Sequence, residues 1–98
     1  MIILNYQGDD WFSIRDKAII ELLYSSGLRL AEIASCDVND IDFQQGLILV
    51  TGKGNKQRLL PVGSKALTAI NDWLTVRSEK IKDEQPALFI AQTGKRID

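Results

Sequence analysis

The chain has 98 residues, 45% of them hydrophobic and 26% charged, as is ordinary for one soluble globular domain, and its formal net charge is −1. This charge gives no overall sign of a nucleic-acid partner, and the lack of histidine excludes Ser/His triads, histidine-ligated zinc and histidine general bases within these residues. Cys36 is the only cysteine and cannot form an internal disulfide, so we expect a reducing, cytoplasmic location. We expect neither a signal peptide nor a membrane span, because no apolar run is long enough.

The first part of the chain is expected to hold two helices after a lead-in over residues 1–12. Ser13 has the side chain of a helix N-cap, and apolar residues at helical spacing predict an amphipathic helix over Ile14–Ser25. Gly27 is expected to end it, because glycine adopts the left-handed conformation at little cost. A shorter helix is predicted over Leu30–Cys36. The side chains expected to pack inward from these helices include Tyr24, Leu30, Ile33 and Ala34.

The second part of the chain is expected to hold a hairpin, a helix and a further strand. Two apolar runs, Leu47–Val50 and Leu59–Val62, flank a short segment rich in glycine and asparagine, which predicts an antiparallel hairpin with strands over Leu47–Thr51 and Gln57–Pro61. Ser64 is expected to cap a third helix that ends near Arg77. The apolar run Ala87–Ala91 is expected to be a third strand that completes the sheet. The predicted fold class is therefore α+β, with helices packed on a small three-stranded antiparallel sheet.

Charge is distributed unevenly along the chain. Eight of the thirteen acidic residues lie between Asp9 and Asp42, and the next 29 residues contain none. Lys53, Lys56 and Arg58 fall in this stretch, on or beside the predicted hairpin tip. A hairpin with uncompensated cations suits contact with a phosphate chain, although a solvated loop with charged ends would have the same composition.

Arg29 follows the predicted helix stop and lies at the start of the next helix. A guanidinium there would sit beside backbone N–H groups, and arginine can bind phosphate oxygens through two parallel hydrogen bonds. Glu32, three residues on, could face Arg29 and hold its side chain in one orientation. The alternative is an ordinary surface ion pair that contributes less than ~1 kcal/mol.

The chain carries two motifs that occur together in one known family. Arg29-x-x-Glu32, followed by Gly52-Lys-Gly-Asn-Lys-Gln-Arg58, resembles the tyrosine recombinases of the phage-integrase family, and most closely the bacterial Xer enzymes that resolve chromosome dimers. The resemblance extends over about residues 14–98, and the paired motifs at this separation make it specific. Further matching segments are Arg15-Asp-Lys-Ala, Ser26-Gly-Leu-Arg-Leu-Ala-Glu, Asp40-Ile-Asp42 and Ala87-Leu-Phe-Ile.

The resemblance implies roles for individual residues. Arg29 corresponds to the family's first catalytic arginine, which binds the scissile phosphate, and Lys53 to the hairpin lysine that is thought to protonate the departing 5′ oxygen. Glu32 matches a supporting acidic position. Lys53, Lys56 and Arg58 are expected to contact double-stranded DNA, and other recombinase subunits are expected as partners. Since cationic side chains already surround the phosphate, neither a metal nor another cofactor is expected.

Other functional groups of the family have no counterpart in this sequence. The second arginine, the histidines and the tyrosine nucleophile would lie downstream of its last residue, and Tyr6 and Tyr24 both precede Arg29, which is the wrong chain order. Residues 13–98 are therefore expected to be the N-terminal half of a catalytic domain, inactive alone and without the family's separate DNA-clamping domain. The alternative is a non-catalytic module that binds DNA or recombinase subunits. A Walker-type nucleotide site is excluded, because the spacing around Lys53 does not match it.

Overall fold

Three α-helices and a three-stranded antiparallel sheet form the described part of the chain. In the computed structural model, which describes residues 10–81 and 84–98, the helices are α1 (Trp11–Ser26), α2 (Leu30–Ser35) and α3 (Ser64–Lys80). The strands are β1 (Ile41–Asp42), β2 (Leu47–Thr51) and β3 (Gln57–Pro61), in the spatial order β1–β2–β3. The predicted α+β class with a three-stranded antiparallel sheet is therefore confirmed. Within the described residues, no helix is both long and apolar enough to cross a membrane.

Helix α1 begins earlier than predicted. Its N-cap is Asp10 rather than Ser13, and the Asp10 carboxylate accepts a hydrogen bond of 3.1 Å from the N–H two residues later. The first helical residue, Trp11, stacks on Trp73 of α3 with ring centroids 5.9 Å apart, so the added turn is held by an aromatic contact that local sequence does not reveal. Ser13 is buried inside the helix. The first nine residues of the predicted lead-in lie outside the described part of the chain.

The third strand of the sheet is not the predicted one. The run Ala87–Ala91 does not join the sheet, and its residues take part only in isolated bridges. The two-residue strand β1 takes its place, with Ile41 paired antiparallel to Ile48 of β2. The prediction of the sheet is thus right in strand number and direction and wrong in the identity of one strand.

The run Ala87–Ile90 is completely buried and satisfies its backbone in another way. All four residues are 0% exposed. The indole of Trp73 and the guanidinium of Arg77, both on α3, donate to two of its carbonyl groups, and Arg15 of α1 donates to a third. A buried carbonyl group needs a hydrogen-bond donor, but the donor need not be a backbone N–H. Side-chain donors therefore replace the backbone hydrogen bonds that a neighbouring strand would supply.

Helix α3 packs on α1 and continues three residues beyond its predicted end. Its N-cap is Gly63, while Ser64, the predicted cap, is its first helical residue. The hydroxyl of Ser25 accepts a hydrogen bond of 2.6 Å from the N–H of Gly63, and the hydroxyl of Ser26 donates to the carbonyl of Pro61 at 2.8 Å. The end of α1 is thereby joined to the segment between β3 and α3.

Two side chains that were predicted to pack inward are exposed. Tyr24 on α1 is 85% exposed and Leu30 on α2 is 56% exposed, so both predictions are wrong. Leu30 is the first residue of its helix and borders an apolar depression of about 280 Å³, whose lining includes Ile19, Ile33 and Ile97. Ile33 is buried as predicted. Apolar surface is therefore open to solvent around α2.

Candidate functional site

A surface depression of about 220 Å³ lies where α2 meets the tip of the β2–β3 hairpin. Arg29 and Lys53, which are 24 positions apart in the chain, both border it. The other residues that line it are Ala31, Glu32, Ser35, Thr51 and Gly52. The two residues to which the sequence assigns phosphate chemistry therefore reach the same site.

The turn between α1 and α2 exposes Arg29. Gly27 ends α1 as predicted, with φ of 65° and ψ of 29°, and its N–H donates to the carbonyl of Leu23 at 3.2 Å. The next residue, Leu28, is buried and anchors the turn in the core. Arg29 then adopts an extended conformation and is exposed, so its guanidinium is available to solvent at the mouth of the depression.

The hairpin tip is a tight turn that projects Lys53 and Lys56. The N–H of Gly52 donates to the carbonyl of Lys56 at 2.7 Å, which closes the tip. Gly54 and Asn55 both have positive φ, at 72° and 60°, a conformation that glycine adopts freely and asparagine tolerates better than most residues. The predicted hairpin, with its turn in the Gly52–Lys56 segment, is confirmed.

Glu32 lies at the centre of the contacts between α2 and the hairpin. Its Oε1 accepts a hydrogen bond of 3.0 Å from the backbone N–H of Arg29, and its Oε2 is 2.9 Å from Nη2 of Arg58. The hydrogen bond from Arg29, together with the guanidinium of Arg58, lowers the pKa of the Glu32 carboxyl. The carboxylate therefore binds the backbone N–H of Arg29. The sequence had suggested instead that it would hold the side chain of Arg29. Since it already occupies the start of this six-residue helix, the backbone there contributes less to anion binding than predicted.

The cations of the hairpin region differ in what they bind. Arg58 is paired with Glu32, and Nζ of Lys65 lies 4.0 Å from a carboxylate oxygen on α1. Among residues 10–81 and 84–98, Lys53 and Lys56 have no acidic partner within 4.0 Å, and both are exposed. These two lysines carry the uncompensated positive charge of the hairpin.

Two residues that line the depression were not found from the sequence. Ser35 and Thr51 line it, and Ser35 donates to the carbonyl of Glu32 at 2.9 Å. A serine or threonine near a helix end has no distinctive sequence signal, because such residues most often serve local capping. Tyr24 is exposed on α1 and does not line the depression, and Tyr6 lies outside the described residues. No group of three or more potential metal ligands occurs among the described His, Cys, Asp and Glu side chains.

The thiol of Cys36 is expected to be unreactive in the folded chain. It is 3% exposed, and its Sγ donates to the carbonyl of Glu32 at 3.2 Å. Burial, followed by the nearby carboxylates of Asp40 and Asp37, raises its pKa to about 12. Because the thiolate is the reactive form, iodoacetamide at about pH 8 should leave the folded chain unmodified and alkylate it in denaturant. Rapid alkylation of the folded chain, followed by mass spectrometry, would contradict this expectation.

The chain is similar to known recombinases along almost its whole length. The model of the phage integrase family matches residues 2–98. The chain belongs to the phage integrase family. It is 50% identical over 95 residues to the tyrosine recombinase XerC of Shewanella amazonensis, a match that covers 97% of this chain and 32% of that protein. XerC of Alcanivorax borkumensis is 55% identical over 86 residues, which cover 87% of this chain and 28% of that protein. This member of the family thus spans about a third of the length of the curated relatives it matches.

Solved structures of phage-integrase relatives have the same fold. The crystal structure of XerA recombinase superimposes with a TM-score of 0.77 and 28% identity, over 87% of this chain and 30% of that one. A structure of XerH site-specific recombinase bound to a palindromic difH substrate, a post-cleavage complex, gives a TM-score of 0.80 over 95% of this chain and 27% of that one. At 23% identity, the second likeness concerns the fold alone. The predicted resemblance to Xer-type tyrosine recombinases is confirmed.

Proposed function

We propose that this chain is part of a site-specific tyrosine recombinase and holds the scissile phosphate of double-stranded DNA during strand cleavage. The observation that carries the proposal is the shared depression, because a guanidinium from the start of α2 and an ammonium from the hairpin tip, Arg29 and Lys53, border one surface site. Membership of the phage integrase family supports it. On this proposal, residues 13–98 are the N-terminal half of the recombinase catalytic domain.

The arrangement of cations suits the electrostatic needs of phosphoryl transfer. We propose that Arg29 donates two parallel hydrogen bonds to the non-bridging oxygens of the phosphate and stabilises the negative charge that develops on them. Lys53 then donates a proton to the 5′ oxygen as it leaves, acting as a general acid. Lys56, exposed on the same hairpin tip, binds a neighbouring phosphate. We omit Arg58 from the phosphate contacts, because Glu32 binds its guanidinium.

The proposed chemistry needs a nucleophile from outside these 98 residues. The two tyrosines of the sequence, Tyr6 and Tyr24, both precede Arg29, which is the wrong chain order for the family's nucleophile, and Tyr24 does not line the depression. We therefore propose that the attacking tyrosine and the remaining phosphate ligands are supplied by other parts of a recombinase. The strand break and its rejoining, through a phosphotyrosine intermediate, belong on this proposal to the assembled enzyme and not to this chain alone.

We also propose that the chain contacts other recombinase residues or subunits. The support is the apolar depression of about 280 Å³ beside α2, bordered by the exposed Leu30. Apolar surface of this kind is usually covered by association. A chain that bound subunits in this way without taking part in cleavage would be the non-catalytic alternative.

The proposal is tested by the salt dependence of DNA binding. If Arg29, Lys53 and Lys56 each neutralise one phosphate, the slope of log K against log salt should be roughly −3, at about −0.9 per contact. We expect weak binding, with a dissociation constant on the order of 10⁻⁴ M at physiological salt, since so few contacts are made. Lys53→Ala should make the slope shallower by about one unit on any duplex sequence. Fluorescence anisotropy of a labelled duplex at several salt concentrations measures both quantities.

Lys17 provides the matched control for this titration. It is exposed on α1 and does not line the depression, so Lys17→Ala removes the same charge from another surface. Lys80 is less suitable, because its ammonium lies 5.5 Å from the ring centroid of Trp11. If Lys53→Ala and Lys17→Ala change the slope equally, the hairpin is not the surface that meets DNA, and the proposal fails.

A further inference from the structure

We propose that Arg58 is a positioning residue, which acts through Glu32 to hold the hairpin tip against α2 and so keeps Lys53 beside Arg29. The inference rests on the proposed function for its significance, but the contacts that carry it are present without DNA. It assigns Arg58 a role within the protein in place of the DNA contact that the sequence suggested.

The carboxylate of Glu32 joins two separate elements. One oxygen binds the backbone N–H of Arg29 at 3.0 Å, and the other binds the guanidinium of Arg58 on β3 at 2.9 Å. The side chain of Glu32 is 12% exposed, whereas that of Arg58 is 48% exposed. The carboxylate is largely enclosed, and each of its oxygens binds a different element, the start of α2 and strand β3. Because the charged carboxylate is bound from both sides, it fixes the position of β3 relative to α2.

The strand register directs Arg58 toward the body of the protein. Arg58 is paired with Val50 across the β2–β3 hairpin, and Val50 is 1% exposed. Residues directly opposite each other on antiparallel strands project from the same face of the sheet. The side chain of Arg58 therefore leaves β3 on the core-facing side and reaches Glu32 from there, while the exposed pair Thr51 and Gln57 occupies the other face.

The ion pair passes next to the backbone that carries Lys53. A methyl group placed on Gly52 would lie 3.4 Å from Nη1 of Arg58 and 3.8 Å from Oε2 of Glu32. Both are ordinary contact distances for an added methyl group, so the charged pair lies about one side-chain carbon away from Gly52, the residue before Lys53. Gly52 also closes the tip through its hydrogen bond to the carbonyl of Lys56. Loss of the ion pair would thus release β3 from α2 immediately beside the turn that carries Lys53.

Backbone order at the hairpin tip, measured without DNA, tests this inference directly. In ¹⁵N-labelled chain, Arg58→Ala should lower the heteronuclear NOE of the Gly52 and Lys53 amides. It should also speed hydrogen exchange of the Gly52 amide, which donates to the Lys56 carbonyl, by about five-fold, the upper range for an exposed ion pair. Arg58→Lys should restore part of the order, because an ammonium can still reach one carboxylate oxygen. Lys56→Ala is the control, since it removes a hairpin cation that has no acidic partner among the described residues.

The variant Glu32→Gln distinguishes a positioning role of Arg58 from a direct DNA contact by Arg58. Glutamine retains an oxygen for the N–H of Arg29 but loses the charge that holds Arg58, so it should loosen the tip as Arg58→Ala does. The double variant of Glu32→Gln and Arg58→Ala should loosen the hairpin tip no further than either single variant, because both substitutions remove the same ion pair. In the DNA titration, a positioning role predicts that Glu32→Gln weakens binding, whereas a phosphate contact by Arg58 predicts that freeing it strengthens binding.

The outcomes distinguish this inference from the proposed function. Tip amides that stay ordered in both variants, or effects that simply add in the double variant, would overturn the positioning role. Tip amides that loosen as expected in a chain whose DNA binding is insensitive to Lys53→Ala would keep the positioning role and reject the proposed function.

Discussion

A recombinase that carries this chain with Arg29→Ala is expected to cleave DNA about 10²- to 10³-fold more slowly than its parent. The host would be XerC of Shewanella amazonensis, in which the chain replaces the 95 residues that match it at 50% identity. The expected loss is that of removing one preorganised donor from a developing oxyanion. Because Arg29 is exposed at the start of α2 and its side chain is not part of the core, the substitution should leave the fold intact. A suicide substrate that traps the covalent protein–DNA adduct measures the rate.

Two further variants make this cleavage experiment decisive. Arg29→Lys keeps the charge but not the two parallel N–H groups, so its rate should fall between those of parent and Arg29→Ala. Lys17→Ala should cut at the parental rate. A grafted parent that folds and binds DNA but forms no adduct would count against the proposed function, and an Arg29→Ala graft with parental activity would remove Arg29 from it.

Trp73→Ala is expected to destabilise the chain by about 3–5 kcal/mol, the range for removing a large aromatic side chain from a core. Trp73 is 0% exposed, and its ring stacks with those of Trp11 and Phe89 at centroid distances of 5.9 and 6.3 Å. Its indole donates to the carbonyl of Leu88 at 2.8 Å. A domain of this size is stable by only about 5–15 kcal/mol, so a large part of that margin would be lost. Urea unfolding followed by circular dichroism gives the free energy of unfolding.

The conservative change at the same position separates packing from hydrogen bonding. Trp73→Phe keeps an aromatic ring but leaves the Leu88 carbonyl unpaired, which should cost about 1–3 kcal/mol plus a smaller packing loss. Asn71→Ala, at an exposed position of the same helix, is the control and should change stability by less than about 0.5 kcal/mol. A loss of under about 1 kcal/mol in Trp73→Ala would show that the aromatic stack does not carry the core.

Local sequence was sufficient for the parts of the fold that depend on neighbouring residues. The stop at Gly27 and the hairpin turn follow from the backbone preferences of glycine and asparagine, and both are confirmed. The convergence of Arg29 and Lys53 came from the family resemblance and not from periodicity, since no local pattern relates residues 24 positions apart.

Two predictions about the fold failed where distant contacts decide the structure. Asp10 replaces Ser13 as the helix cap because Trp11 in the added turn packs on Trp73, which lies 62 residues away in the sequence. The run Ala87–Ile90 has the composition of a strand, but side chains from two helices bind its carbonyls. The DNA contact predicted for Arg58 stays a prediction, but its carboxylate partner Glu32 is visible only once α2 and the hairpin are placed together.

The hydrogen bond from Arg15 to the carbonyl of Ile90 links positions 75 residues apart and has a consequence for synthesis. At roughly 5–20 residues per second, the ribosome makes the acceptor about 4 to 15 s after the donor. Throughout that interval, the core that buries Arg15 and its neighbour Asp16 is incomplete. In the finished fold the two residues are 7% and 3% exposed. Arg15 and Asp16 can pair with each other as soon as both are made, but the guanidinium lacks its buried acceptor at Ile90. Arg15 can therefore complete its buried hydrogen bonds only after the Ala87–Ile90 run has left the ribosome.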